Sequence, residues 1–477
     1  MPTYLTPGQY IEEIKADKPA QSVSTSITGF AGVTQKGRFG PVTIRSFRDF
    51  EEEFGGYIEN SYLAYAVKGY FDNGGATAVI SRVVHYASDA PTSAAASADI
   101  MSGATAVAKV EASSHGSFGN QLSVKISDWN ATTKTFTLTV LKGSAQAEAP
   151  YVGLTLKTAE DVINSTSRNI VFTTIDDDAN LDAATISLTG GEDGTTGLVA
   201  ADYLGSELLR NGIQAFNNID INLLAIPGVT DTAVLKGMEA FVLNRRTFVI
   251  CDFPHGKTPD GMLEFKNSAG IAAERGAIYG PWIVVSDPIG FGSNPVKSVP
   301  PSGHIAGVFA NTDANRGVFK SPAGETDGRV MGALGLDYVM DDKEQEVLNP
   351  NGINALRVFP GVGVVIWGAR TLDNNYITVR RTADYVENMI LANTRWTTFE
   401  PNDQDLWSKI KSTCEAFLRG LWRAGGLKGN SEEEAFYVIC DGTTTTPDDV
   451  KAGRVFADIG ISTQRPAEFI IFRVRVL

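Results

Sequence analysis

The sequence predicts an α/β multidomain protein. It has a middle domain on a parallel sheet, an inserted antiparallel β domain, and an α+β base with extended strand arms at both chain ends. Three observations predict this. From Asp202 onward, β-branched apolar runs alternate with amphipathic stretches, the rhythm of parallel strands joined by crossover helices. Between about Tyr86 and Gly197 the composition turns rich in Ala, Ser, Thr and Gly, with short alternating runs. Both chain ends carry apolar, strand-like segments. A length of 477 residues also exceeds what one core ordinarily serves.

Taken in order, MPTYLTPGQYIEEIKADKPA reads as an extended arm, because Pro2, Pro7 and Gly8 forbid a regular helix. Tyr4, Leu5, Tyr10, Ile11 and Ile14 give that arm apolar surface to bury. The block VSTSITGFAGVTQKGRFGPVTI, SFRDFEEEFGGY, YLAYAVKGYFDNGGATAVISRVV reads as strand, loop, a short helix from Ser46, a helix from about Tyr62, and a strand at 78–84. The Asn73-Gly74-Gly75 turn leads into that last strand. In the insert, QLSVKISDW, KTFTLTVLK and NIVFTTI alternate as antiparallel strands. The insert holds 6 Lys/Arg against 13 Asp/Glu, half of the whole chain's net charge of −14, and so reads as a solvated outer domain.

Beyond it, ELLRNGIQAFNN is predicted helical, INLLAIPG a buried strand, TAVLKGMEAFVLNRR a helix and TFVICDF a strand. DGMLEFKNSAGIAAERG follows as a helix and WIVVSDP as a further strand. VFPGVGVVIWGART reads as a strand pair. TADYVENMILANTRW and DQDLWSKIKSTCEAFLRGLWRAGG read as amphipathic helices. The second repeats Leu406, Ile410, Cys414, Phe417 and Leu421 at helical spacing, with Asn402 or Asp403 as its cap. FYVICD is a strand, TPDDVKAGRV a short helix, and FIIFRVRVL (469–477) an alternating β-branched strand. The expected boundaries are 1–25 for the arm, 26–85 with 201–344 for the middle domain, 86–200 for the insert and 345–477 for the base.

Composition narrows function. The acidic balance argues against a nucleic-acid partner or an anionic membrane surface. No run approaches a membrane span, and MPTYLTPGQYIEEI lacks the basic and apolar regions of a signal peptide, so synthesis in a cytoplasm is expected. Cys251, Cys414 and Cys440 lie far apart in apolar settings, as reduced buried thiols do. Neither they nor the four scattered histidines show metal-ligand spacing, so no metal or cofactor is expected.

Chemistry would sit at the carboxyl ends of the parallel strands. Asp252 and Asp287 occupy such ends, His255 lies close to the first, and Ser286 or Ser302 would complete a hydrolase triad. Turn chemistry explains the same residues, and no GxSxG elbow presents a nucleophile. GVGVVIWG (361–368) superficially matches a nucleotide loop, but no helix start follows it, so close strand packing accounts better for its glycines. Asp176-Asp177-Asp178 lacks the spaced ligands of a calcium loop.

Several longer motifs fall in a familiar order: PTYLTPGQYIEEI, GFAGVTQKGRFGPVTI, SFRDFEEEFGG, NGGATAVISRVV, GPWIVVSDP, PPSGHIAGVFANTDANRGVFKSPAG, NPNGINALRVFPGVGVVIWGARTL, YITVRRTADYVE, TRWTTFEPND, LWRAGGLKG and RPAEFIIFRVRVL. Together they resemble the contractile tail sheath proteins, most weakly in the acidic insert.

The resemblance implies hexameric rings stacked around an inner tube in a phage tail, bacteriocin or injection particle. Baseplate and tail terminator proteins would be further partners, with no direct membrane insertion. It also implies a middle domain likened to subtilisin but without catalysis. The N-terminal arm, with Tyr4, Leu5, Tyr10, Ile11 and Ile14, would add a strand to a neighbour's sheet. So would the C-terminal strand Phe469, Ile470, Ile471, Phe472, Arg473, Val474, Arg475, Val476 and Leu477. Tube contact would fall to Lys409 and Lys411, or to Lys451 and Arg454. Two other readings stay open: a hydrolase using Asp252 and Asp287, and a self-assembling surface adhesin.

Overall fold

The computed structural model describes residues 23–88, 90–243 and 245–468. The expected arm residues Tyr4, Leu5, Tyr10, Ile11 and Ile14 and the strand Phe469–Leu477 lie outside them. The chain divides into two compact units, one holding residues 24–384 and 463–468, the other residues 23 and 385–462.

An eight-stranded sheet organises the first unit. Its strands are β1 (Thr28–Gly32), β2 (Pro41–Ile44), β3 (Ala78–Arg82), β4 (Leu223–Ala225), β5 (Phe248–Asp252), β6 (Gly276–Gly280), β7 (Ile353–Phe359) and β8 (Gly363–Ile366), in the order β2-β3-β1-β4-β5-β6-β7-β8. The six inner strands run parallel, and β2 and β8 close the edges antiparallel. The parallel sheet expected from the α/β rhythm is therefore present. It also takes in the N-terminal block and the 353–366 strand pair.

Period-two alternation sends side chains to two cores. Phe30, Ile80, Leu223, Ala225, Phe248, Ile250 and Tyr279 face one side; Ala31, Val79, Leu224, Val249, Cys251 and Ile278 face the other. Helices α1 (Phe47–Phe54), α2 (Leu63–Asp72), α3 (Thr232–Val242), α4 (Pro259–Ala269) and α5 (Ser302–Arg316) cover the sheet. The first two and α5 pack on the Phe30 side, and α3 and α4 on the other. Local chemistry sets their ends. Ser46 Oγ accepts from Asp49 N at 3.1 Å to start α1. Thr258 with Pro259 starts α4, and Gly270, at φ +60°, stops it.

Three readings differ from the structure. ELLRNGIQAFNN (207–218) is not one helix: the α-helix Ala200–Leu204 ends before it, and within it only Gly212–Phe216 is helical, as a 3-10 turn. Between them the backbone turns at Gly205 and Arg210, both with positive φ, and Gly212, also with positive φ, opens the 3-10 turn. WIVVSDP does not extend the parallel sheet. Gly276–Gly280 fills that place, and Ile283–Ser286 pairs antiparallel with Val296–Val299 and Gly335–Leu336. Glycine is needed in β6 because a Cβ at Gly276 would stand 2.8 Å from Leu372 Cδ1, and one at Gly280 2.9 Å from Phe253 Cδ2. The segment PPSGHIAGVFANTDANRGVFKSPAG, to which the sequence assigned no element, contains α5, buried from Ser302 to Ala310. A Cβ on Gly303 would meet Ala66 Cα at 2.4 Å, and one on Gly307 would meet the Tyr70 carbonyl at 2.5 Å, so these glycines let α5 lie directly against α2. At its far end Arg381 pairs with Asp313 at 2.6 Å, both side chains buried.

The insert has a core of its own. Leu122–Asn130 and Thr135–Lys142 form an antiparallel pair joined by Ala184–Ser187 and Tyr151–Leu154. Ser97–Ser102, Thr105–Ala112 and Ile170–Thr174 form a second antiparallel sheet. Phe136, Leu138, Val110, Phe172 and Ile163 meet in its interior, so the antiparallel β insert is observed as expected.

In the second unit lies the C-terminal part of α6 (Ile377–Thr394), all of α7 (Gln404–Arg423), and a hairpin of Phe436–Ile439 with Asp458–Ile461. Leu406, Ile410, Cys414 and Leu421 bury one stripe of α7, joined by Trp407 and Leu418. Phe417 is half-buried against Tyr385, ring centroids 6.0 Å apart. Asp403 is the cap, accepting from Leu406 N at 2.9 Å, while Asn402 Oδ1 accepts from Trp407 Nε1 at 2.8 Å.

Candidate functional site

The strand-end residues proposed for catalysis fall into separate places. Asp252 ends β5 and is buried. Its Oδ2 accepts from Ser302 Oγ at 2.6 Å and Gly228 N at 3.1 Å, and its Oδ1 from Ser302 N at 2.9 Å. Burial pushes its pKa up to about 6 against the lowering effect of those hydrogen bonds. Ser302 is fully buried at the first turn of α5, so the pair ties the loop after β4 and the end of β5 to a helix N-terminus.

His255 does not join them. Its Nε2 lies 3.4 Å from Asp337 Oδ2, and its ring packs on Trp282 at 4.8 Å. Asp287 follows the antiparallel strand Ile283–Ser286, not a strand of the parallel sheet, and accepts from the Tyr65 hydroxyl at 2.6 Å. This corrects its assignment to a parallel-strand end. Ser286 is exposed. The arrangement brings Ser302 and Asp252 together and leaves out the base that a triad needs. GVGVVIWG is the β7–β8 turn and β8 itself. Gly361 and Gly363 supply positive φ, and a Cβ at Gly368 would meet Asn354 Cα at 2.9 Å.

Sequence reasoning passed over His304, which α5 places against α2, within the space a Gly69 side chain would need. Its Nδ1 has no hydrogen-bond partner among the described residues, and burial lowers its pKa to about 4. A lone histidine in a small-residue segment gave no signal of this packing.

The surface of the second unit offers a different kind of site. Tyr437 and Ile439 stand exposed on the hairpin, and among the described residues no third strand joins it. Isolated two-stranded sheets are marginal in water and present open main-chain donors and acceptors. Lys409 and Lys411 project from α7, the latter 3.9 Å from Glu415. Lys451 ends the short helix Pro447–Lys451 and Arg454 follows it; they lie 3.4 Å and 2.7 Å from Asp448 and Asp449. All four cations are exposed. The three cysteines are free and buried. No described helix is long and apolar enough to cross a membrane.

Comparison with known proteins places this architecture. The family model for the phage tail sheath protein central domain matches residues 197–372, and that for the phage tail sheath C-terminal domain matches residues 371–477. A Pseudomonas aeruginosa protein provisionally named a prophage major tail sheath protein is 26% identical over 283 residues, 58% of this chain and 70% of the relative. The tail sheath protein of Vibrio phage KVP40 is 29% identical over 177 residues, 36% of this chain, and the match spans only 26% of that longer protein. Among solved structures, the contracted sheath complex of an extracellular contractile injection system superposes with a TM-score of 0.61 at 22% identity, covering 100% of this chain and 98% of that one. A sheath tail protein from Desulfitobacterium hafniense gives 0.63 at 16% identity, covering 91% and 93%.

Proposed function

The chain belongs to the phage tail sheath protein family, and from that premise we propose that this structural sheath subunit polymerises as stacked hexameric rings around an inner tube and contracts to drive the tube into a target envelope. The particle is a phage tail or contractile injection machine, assembled from subunits made in the cytoplasm, with baseplate and terminator proteins at its ends. The central α/β scaffold, subtilisin-like in outline, and the C-terminal unit that follows it do this without catalysis. The acidic insert at 86–200 lies farthest from the tube.

The carrying observation is the strand pair Phe436–Ile439/Asp458–Ile461, which no third strand joins among the described residues. We read it as the acceptor for the arms of neighbouring subunits, Tyr4 to Ile14 and Phe469–Leu477, by strand addition. Such a contact is heterologous and does not close on itself, so it propagates a helical lattice. Main-chain bonds survive while the attached bodies rotate, which lets the joints act as hinges between a metastable extended lattice and a better-packed contracted one. Electron microscopy of the recombinant chain, alone and with its tube protein, tests the reading. Striated hollow cylinders are expected from the intact chain and only dispersed, folded subunits after deletion of Phe469–Leu477. Normal sheaths from that deletion would end the strand-donation account.

A further inference from the structure

The link between α6 and α7 breaks a rule of turn chemistry. After the 3-10 turn Arg395–Thr397, the chain bends back through Thr397-Thr398-Phe399-Glu400. Thr398 has φ −69° and ψ 126°, Phe399 has φ +74°, and Glu400 N donates to the Thr397 carbonyl at 3.2 Å. This is the type II pattern, whose third residue takes positive φ and is ordinarily glycine. A phenylalanine there strains the backbone, and strain persists only where something compensates it. Among the described residues nothing does, because the Phe399 side chain is fully exposed. The turn is held in place all the same. Asn402 Nδ2 donates to the Arg454 carbonyl at 2.9 Å, Asn402 Oδ1 accepts from Trp407 Nε1, and Asp403 caps α7. The ring therefore stands on a fixed backbone.

Its surroundings share its character. Trp396 is exposed three residues earlier, and Phe456 is exposed two residues beyond Arg454. Seven aromatic side chains are exposed among the described residues, and four of them, Trp396, Phe399, Tyr437 and Phe456, lie within 385–462. That concentration marks a surface for protein contact, where aromatic side chains are the usual anchors. The turn and the adjoining segment carry charges of both signs, Arg395, Lys451 and Arg454 with Glu400, Asp448 and Asp449, so a partner of strong single charge is not favoured. Phe456 leads two residues on into Asp458–Ile461, one strand of the pair read above as the acceptor of a neighbouring copy's arm. The exposed aromatic surface continues that edge, and a copy laid along the edge is the partner at hand.

We infer that Phe399, with Trp396 and Phe456, is a preformed anchor covered by a neighbouring copy of this chain in the assembled sheath. The inference rests on reading the hairpin edge as a contact between copies. Presenting the ring on a strained but fixed turn means that little backbone freedom is lost on contact. The anchor meets a different surface of the next copy, as a heterologous contact requires.

The test uses the full chain carrying Phe399→Gly, with sheaths grown in the presence of the tube protein. Glycine accepts the positive φ, so the urea midpoint of the subunit is expected to rise, while the concentration needed for sheath growth rises about tenfold or more. A residue of purely structural value would move stability down and leave assembly to follow it. In a second arm, p-benzoylphenylalanine replaces Phe399 in a mixture of isotopically labelled and unlabelled subunits. Photolysis of sheaths is expected to join one copy to another, and photolysis of dispersed subunits to join none. Sheath growth by Phe399→Gly at the unaltered concentration, or crosslinks to the tube protein alone, overturn the anchor and leave strand donation standing. Normal sheaths from the chain without Phe469–Leu477, with the crosslink at position 399 still between copies, overturn strand donation and leave the anchor.

Discussion

Two buried titratable residues give opposite pH signatures. Asp252 sits in a folded protein that raises its pKa to about 6 from the ordinary 3.8. Between those values the folded state keeps a proton that the unfolded chain releases, so its contribution to stability is lost as pH rises through that window. His304 has its folded pKa lowered to about 4 from 6.5, so the unfolded chain takes the proton first and stability is lost as pH falls from about 6.5 toward 4. The two effects partly cancel in the wild type between pH 4 and 6. Denaturant unfolding across that range is expected to show a steeper acid loss in Asp252→Asn and a shallower one in His304→Asn. Identical pH slopes in all three proteins would contradict this account. Ser302→Ala, which removes the Oγ donor from the buried Asp252 carboxylate, is expected to cost about 1–3 kcal/mol.

At the scale of elements, the fold depends on close helix contact where glycine leaves room. Gly303→Ala or Gly307→Ala in α5 puts a methyl group within 2.5 Å of α2 atoms. Overpacking of this kind is expected to cost about 1–3 kcal/mol. The same substitution at Gly420, exposed within α7 with no atom inside 4 Å, is expected to stabilise by about 0.5–1 kcal/mol through helix propensity. Midpoints of urea unfolding check the sign at each position. Much of α7 was legible in the sequence, because its stripe repeats at helical spacing and Asp403 caps it locally. The Phe417 position was the weaker reading, since Leu418 takes the deeper place. α5 was not legible as a helix: buried nearly all round, it carries no amphipathic period. β6 was hidden for a related reason, its glycines answering to Leu372, Phe253 and Met262 on other elements rather than to strand propensity.

For the whole molecule, assembly and tube coupling are expected to separate. Reversing charge at Lys409 and Lys411, or at Lys451 and Arg454, changes exposed groups whose ion pairs with Glu415, Asp448 and Asp449 are surface pairs worth little to folding. If one of these pairs faces the tube, its reversed variant is expected to form sheath-only polymers while failing to co-assemble with tube protein. The contact should also weaken with added salt in the unaltered chain. Co-sedimentation with purified tubes, alongside micrographs of the polymers, reads both effects. Unimpaired co-sedimentation by both variants would remove these four residues from the tube contact.

The sequence by itself determined many of the local elements, α7 and its cap among them, the antiparallel insert, the parallel α/β rhythm and the family to which the chain belongs. These rest on period, capping and ordered motifs, which act within a few residues of one another. Tertiary structure alone decided that 353–366 joins the central sheet, that Asp287 follows an antiparallel strand, that Ser302 meets Asp252 without a histidine, and that Asn402 ties the α6–α7 turn to Arg454. Each joins residues tens or hundreds of positions apart, and their meeting is set by how whole faces of sheet and helix exclude water together.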